Sequence, residues 1–190
     1  MKRNLFLAAT ILAVMVMPLT ASDKDKDDAR VVRTHLVGYQ ETPLTINTAA
    51  SGDFTATISE DGTAIHYELT WHNLSSNVLQ SHIHFGRPAI TGGIVLFLCT
   101  NLTLPVGPPA PQACPTTNPA TIAGTLTAAD VIASSNGQGI ESGAAGFAEI
   151  LNAIRAGAAY VNVHTSSHTG GEIRGRLGPH RDGDDEHHHH

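Results

Sequence analysis

The sequence predicts an all-β protein: an antiparallel Greek-key sandwich or barrel interrupted by one or two short helices. Three observations predict it. Apolar residues alternate with polar ones at period two through most of the chain after residue 30. The alternating runs are short, about eight in number, and separated by Gly, Pro and Asn, residues that turn a chain tightly. The composition is rich in Ala, Thr, Gly and Val but only 5% aromatic, which suits a tightly turned β-domain better than a helical bundle.

The chain opens with Lys2 and Arg3, an apolar run from Leu5 to Met17, and then Leu19-Thr20-Ala21. That is the order of a secretory signal peptide cleaved near Ala21. The run is about 13 residues, short of the ~20 that span a bilayer, so no transmembrane anchor is expected after cleavage. Residues 22–30, SDKDKDDAR, lack large apolar side chains and read as a charged, flexible leader. The folded domain is expected over residues 31–177. Beyond it the tail GPHRDGDDEHHHH again lacks apolar residues and ends in four histidines that chelate metal by themselves.

Strands are expected at residues 31–39, 79–85, 93–98, 122–126, 159–165 and 172–177, besides a hairpin in GDFTATISEDGTAIHYELTW. Its Asp61-Gly62 turn asks for positive φ at both positions. Counting outward pairs Ile58 with Ile65, Ala56 with Tyr67 and Phe54 with Leu69 on one face. Thr57 with His66 and Thr55 with Glu68 share the other, which puts His66 on the wet side with His72 in phase. Two helices interrupt the strands. LTAADVIA starts with Thr127 as N-cap and Asp130 three residues on, and GFAEILNAIRAG carries Phe147, Ile150, Leu151 and Ile154 on one face with Gly157 as its stop. The second is expected to pack on the sheet as a lid.

Two cysteines, Cys99 and Cys114, bracket a proline-rich stretch. In an exported chain they are expected to form a disulfide that staples this loop, worth ~3 kcal/mol on the loop-entropy model. Separate thiols or a thiol metal pair are the other readings.

The chemistry concentrates in three histidines. In SHIHFG, strand alternation projects His82 and His84 to one face, ~7 Å apart at Cβ, and Ser81, Ile83 and Phe85 to the other. In AYVNVHTS, Tyr160, Asn162 and His164 oppose Val161 and Val163. If the two strands lie close together, His82, His84 and His164 form a three-nitrogen site suited to copper or zinc with an open position. Glu172 in GGEIRGRL is placed to orient a ring nitrogen, with Arg174 and Asn162 beside it. The competing reading is a metal-free hydrogen-bonded network in which Glu172 pairs with Arg174 or His164. Imidazole has a reference pKa of ~6.5, so metal affinity is expected to fall as pH drops toward 5. No nucleophile elbow, P-loop or H-E-x-x-H motif is present, so no catalytic residue is assigned.

LVGYQETP, SHIHFGRPAITGGIVLFL, GTLTAADV and IRAGAAYVNVHTSSHTGGEIRGRL occur in this order and resemble the successive motifs of the CHRD domain, named after chordin. The resemblance covers roughly residues 31–177. It implies an extracellular or exported setting, with no reaction attached. HIHFG is similar to the H-x-H-x-F-G segment of copper/zinc superoxide dismutases, with one residue less between the second histidine and the phenylalanine. That similarity implies a copper-ligand role for His82 and His84. The bridging histidine and the aspartate of that family's zinc site have no counterpart here.

The formal charge of −6 becomes −8 once Lys2 and Arg3 are removed with residues 1–21. A nucleic-acid or anionic-membrane partner is therefore not expected. The expectation is an exported binding module with a mononuclear copper (or zinc) site and an unidentified protein or matrix partner, with no enzymatic activity assigned. The alternatives are a metal-free structural or adhesive envelope or matrix domain, and a superoxide-dismutase-like redox metalloenzyme.

Overall fold

The computed structural model describes residues 30–103, 110–134 and 136–178. The expected signal peptide, residues 22–29 of the leader and the tail after Gly178 lie outside them. Eight strands form: β1 (Val31–Val37), β2 (Ser51–Ile58), β3 (Ala64–His72), β4 (Val78–Phe85), β5 (Gly93–Thr100), β6 (Ala120–Thr127), β7 (Ala159–Thr165) and β8 (Ile173–Leu177). They make one antiparallel sheet in the order β5-β4-β7-β8-β1-β2-β3-β6, curled into a nearly closed barrel. The expected all-β class is what forms.

Inward-facing residues of every strand fill the barrel, among them Leu36, Phe54, Leu69, Trp71, Ile83, Leu96, Val161 and Ile173. Each fully buried side chain of this size stabilises the fold by about 1.5–3 kcal/mol. The β2–β3 register is the one counted from the sequence, with Ile58 opposite Ile65, Ala56 opposite Tyr67 and Phe54 opposite Leu69. The turn itself differs. Gly62 has φ +69° while Asp61 does not have positive φ, and the Gly62 N–H donates to Ser59 O. The Asp61 side chain holds this wider loop by accepting from Ser59 and Thr63.

The barrel's open seam lies between β5 and β6, and the disulfide-bound segment bridges it. Cys99 and Cys114 are bonded at 2.06 Å. Just before Cys114, Gln112 accepts from the Thr100 N–H of β5 through its carbonyl. Its side-chain amide donates to Ala123 O of β6 and to the Tyr67 hydroxyl. Tyr67 in turn donates across the barrel to Leu98 O at 2.8 Å.

Three expected elements come out shorter, β8 by one residue because it begins at Ile173 and not at Glu172. β1 stops at Val37 and a 3-10 turn, Gly38–Gln40, follows. A side chain at residue 38 would run into Ile46 O. LTAADVIA forms only the 3-10 turn Ala128–Asp130, with its Thr127–Asp130 capping box in place. The β-branched residues after it run on extended, and the Ile132 N–H donates to Val95 O of β5. Helix α1 (Gly143–Arg155) buries Phe147, Ile150, Leu151 and Ile154 as expected, and Gly157 just past its end has φ +65°.

Candidate metal centre

β4 and β7 are hydrogen-bonded neighbours, which meets the condition for bringing the three histidines together. Gln80 lies opposite His164, His82 opposite Asn162 and His84 opposite Tyr160. On the other side of β4, the pairing with β5 shifts register between Ser81 and His82 and again between Ile83 and His84. Such irregularities re-aim side chains locally. Ser81 is turned away from the histidines and donates to Asn162 O at 2.7 Å. Val161, Val163 and Ile83 enter the core, so Tyr160, Asn162 and His164 occupy the outer face of the barrel wall.

That outer face is not wet. Every residue of β7 is buried, and His82, His84 and His164 are 0%, 6% and 6% exposed. The cover comes from two loops, and each anchors one ring. Gly92 O accepts from His84 Nδ1 at 2.9 Å, and Thr169 O accepts from His164 Nδ1 at 2.9 Å. A carbonyl can only accept, so both Nδ1 atoms carry the proton and both Nε2 lone pairs are free.

The ring centroid of His82 lies 4.6 Å from that of His84 and 4.5 Å from that of His164. One potential ligand nitrogen from each residue falls in a group spanning no more than 4.8 Å. Ligands at ~2.0 Å around one ion sit about 3.3 Å apart, so the group would need to close by up to roughly 1.5 Å. Among the described residues, six buried side-chain polar atoms lack a hydrogen-bond partner. Four are ring nitrogens of this cluster: His82 Nδ1 and Nε2, His84 Nε2 and His164 Nε2. A fifth is Asn162 Oδ1, and the sixth is Glu41 Oε1. Orphaned buried polar atoms normally cost 1–3 kcal/mol each and call for a guest or a function.

Burial keeps these rings neutral. It pushes His82 well below the ordinary histidine value, and repulsion between protonated rings at His164 and His84 lowers it further. Burial pushes His84 down to about 4 and His164 down as well, each against the pull of its carbonyl partner. Burial thus holds these rings below the ordinary imidazole value on which the expected loss of affinity toward pH 5 rests.

The residues expected around the histidines divide three ways. Asn162 sits between His82's strand and β8, opposite Arg174. Arg174 reaches the cluster indirectly: its guanidinium stacks 3.4 Å above the Tyr160 ring, which stacks on His84 with centroids 4.5 Å apart. It also donates to Thr42 Oγ1 and to Ile90 O, tying both neighbouring loops down. Glu172 is engaged elsewhere. Its carboxylate accepts from Thr48, the Ser75 N–H and hydroxyl, and Thr165, while Thr169 rather than Glu172 holds the His164 ring. Two of its donors, Thr48 and Ser75, lie on loops far away in sequence, which alternation along β8 does not reveal. His66 and His72 are exposed, and His66 pairs with Thr125.

Sequence reasoning passed over Glu41, and it placed Tyr160 on the face of Asn162 and His164 without giving it a role. Glu41 is buried beside Arg174, and burial raises its carboxyl to about 7. Tyr160 separates His84 from a cleft of about 340 Å³ lined by Glu41, Thr42, Pro43, Arg174 and Arg176. An acidic residue in the polar run YQETP carries no periodic signal, so its burial could be found only in three dimensions.

The family model of the CHRD domain matches residues 32–177. No curated protein and no solved structure matches the chain.

Proposed function

The chain belongs to the CHRD domain family, and from that premise we propose that it is an exported binding module holding one copper or zinc ion through His82, His84 and His164. The observation that supports this reading is the convergence of orphaned ring nitrogens in one buried group. A free Nε2 on His84 and on His164, each with its Nδ1–H held by a backbone carbonyl, is the arrangement of a metal-ligating histidine. Asn162, opposite His82 in the strand pairing, carries an Oδ1 that also lacks a partner. The ion would supply a Lewis-acid or redox centre. The protein's part is to fix the three rings, keep them neutral and exclude water.

Export is part of the reading. CHRD domains occur in extracellular and exported proteins, the Cys99–Cys114 disulfide fits an oxidising compartment, and residues 2–21 have signal-peptide order. Among the described residues no helix is long and apolar enough to cross a membrane.

The test uses the chain with His187–His190 changed to Ala, since the tail binds metal by itself. It should take up about one Cu or Zn ion per chain and lose it when His82 and His84 become Ala, read by metal analysis after desalting. A folded protein that takes up none leaves the metal-free structural or adhesive domain. Superoxide consumption by the loaded protein well above the free-ion background would instead promote the redox enzyme.

A further inference from the structure

The three histidines form a donor set with no negative charge, and this bears on which ion they hold. We infer, resting on the metal reading above, that the centre selects monovalent copper, Cu(I), over Zn(II) and Cu(II).

Three observations carry this. First, the ligands are neutral: the Nδ1 protons of His84 and His164 are committed to Gly92 O and Thr169 O, leaving only Nε2 lone pairs. The cost of burying an ion grows as the square of its charge, so a dication costs about four times as much as a monocation in the same site. Second, among the described residues no unpaired anion on the surrounding elements offsets a dication. The Glu172 carboxylate is saturated by Thr48, Ser75 and Thr165. Glu41 is the other buried carboxyl nearby, and it lies beside the Arg174 guanidinium, so the two together add no net negative charge. Third, the rings are 0–6% exposed under their two loops. Zn(II) on three histidines completes its tetrahedron with water, and Cu(II) favours a tetragonal set of four or more N and O donors. A d10 monocation is satisfied by three nitrogens and needs neither a counter-anion nor an added water.

The experiment is an anaerobic competition on the full chain with His187–His190 changed to Ala. Bathocuproine disulfonate competes for Cu(I), and chromophoric chelators compete for Zn(II) and Cu(II). The expected result is one Cu(I) per chain, held at least about 100-fold more tightly than either divalent ion and lost in the His82→Ala/His84→Ala variant. A smaller ratio, or a preference for a divalent ion, overturns the inference while the metal reading stands. No uptake of any ion by a protein with native circular dichroism defeats both. Should the double variant fail to fold, X-ray absorption on the copper-loaded parent decides. Three nitrogen scatterers at ~2.0 Å with a Cu(I) edge are expected, and a four- or five-coordinate Cu(II) spectrum under the same anaerobic loading overturns it.

Discussion

At the scale of single residues, the centre is governed by desolvation. His84 is pushed down to about 4 and His82 and His164 are lowered with it. Protons therefore do not compete with a metal at mildly acidic pH. Affinity measured by chelator competition should stay level from pH 8 to about 5 and fall only below that, as His84 begins to protonate. A midpoint near 6.5 would mean that the rings are solvated when the ion binds. Glu41 titrates the opposite way. Its folded value of about 7 lies above the unfolded 4.5, so its contribution is present below pH 4.5 and is lost as pH rises to 7. The Glu41→Gln variant should therefore be more stable than the parent at pH 8, by on the order of 2 kcal/mol, and nearly equal to it at pH 4.5. Urea melts at the two pH values check this.

At the scale of elements, the β5–β6 seam is the point where the barrel depends on a side-chain staple. The alternation of each strand and the hairpin register were readable from sequence because one face of each strand is apolar, and a one-residue slip would expose it. The seam was not readable. Gln112 and Tyr67 bridge edges far apart in the chain, and hydrogen bonds of that kind leave no periodic trace. Replacing both cysteines by Ala should cost ~3 kcal/mol for a loop with a separation of 15 residues. Tyr67→Phe in the intact protein should cost about 1–2 kcal/mol, since it unpairs the buried Leu98 carbonyl and removes one of the two acceptors of the Gln112 amide. Chemical denaturation measures both, and a Tyr67→Phe protein as stable as the parent would mean that the seam contributes no stability.

At the scale of the whole molecule, the histidines sit on two short lengths of chain, β4 and β7, that the barrel and its loops must hold together at once. A ligand that binds only this assembled state stabilises all of it. An ion at 100 times its dissociation constant adds about 2.7 kcal/mol, which for roughly 150 ordered residues raises Tm by about 5–10 °C. Calorimetry with and without copper should show this rise in the parent and none in His82→Ala/His84→Ala. An equal rise in both would place the ion elsewhere.

The all-β class, most strand positions, the lid helix, the cysteine pair and the identity of the three histidines are legible in the sequence, because they follow from local periodicity and from side-chain chemistry. The CHRD motifs were likewise visible as ordered strings of residues. What needed the folded chain is that the polar face of β7 is buried and not wet, that Thr169 and Gly92 orient the rings in place of Glu172, and that Tyr160 stacks on His84 with Arg174 over it and Glu41 beside Arg174. The physical reason is that alternation tells which side chains share a face. What covers that face is set by loops distant in sequence, and it is the cover that removes water, shifts the histidines and leaves their nitrogens without partners.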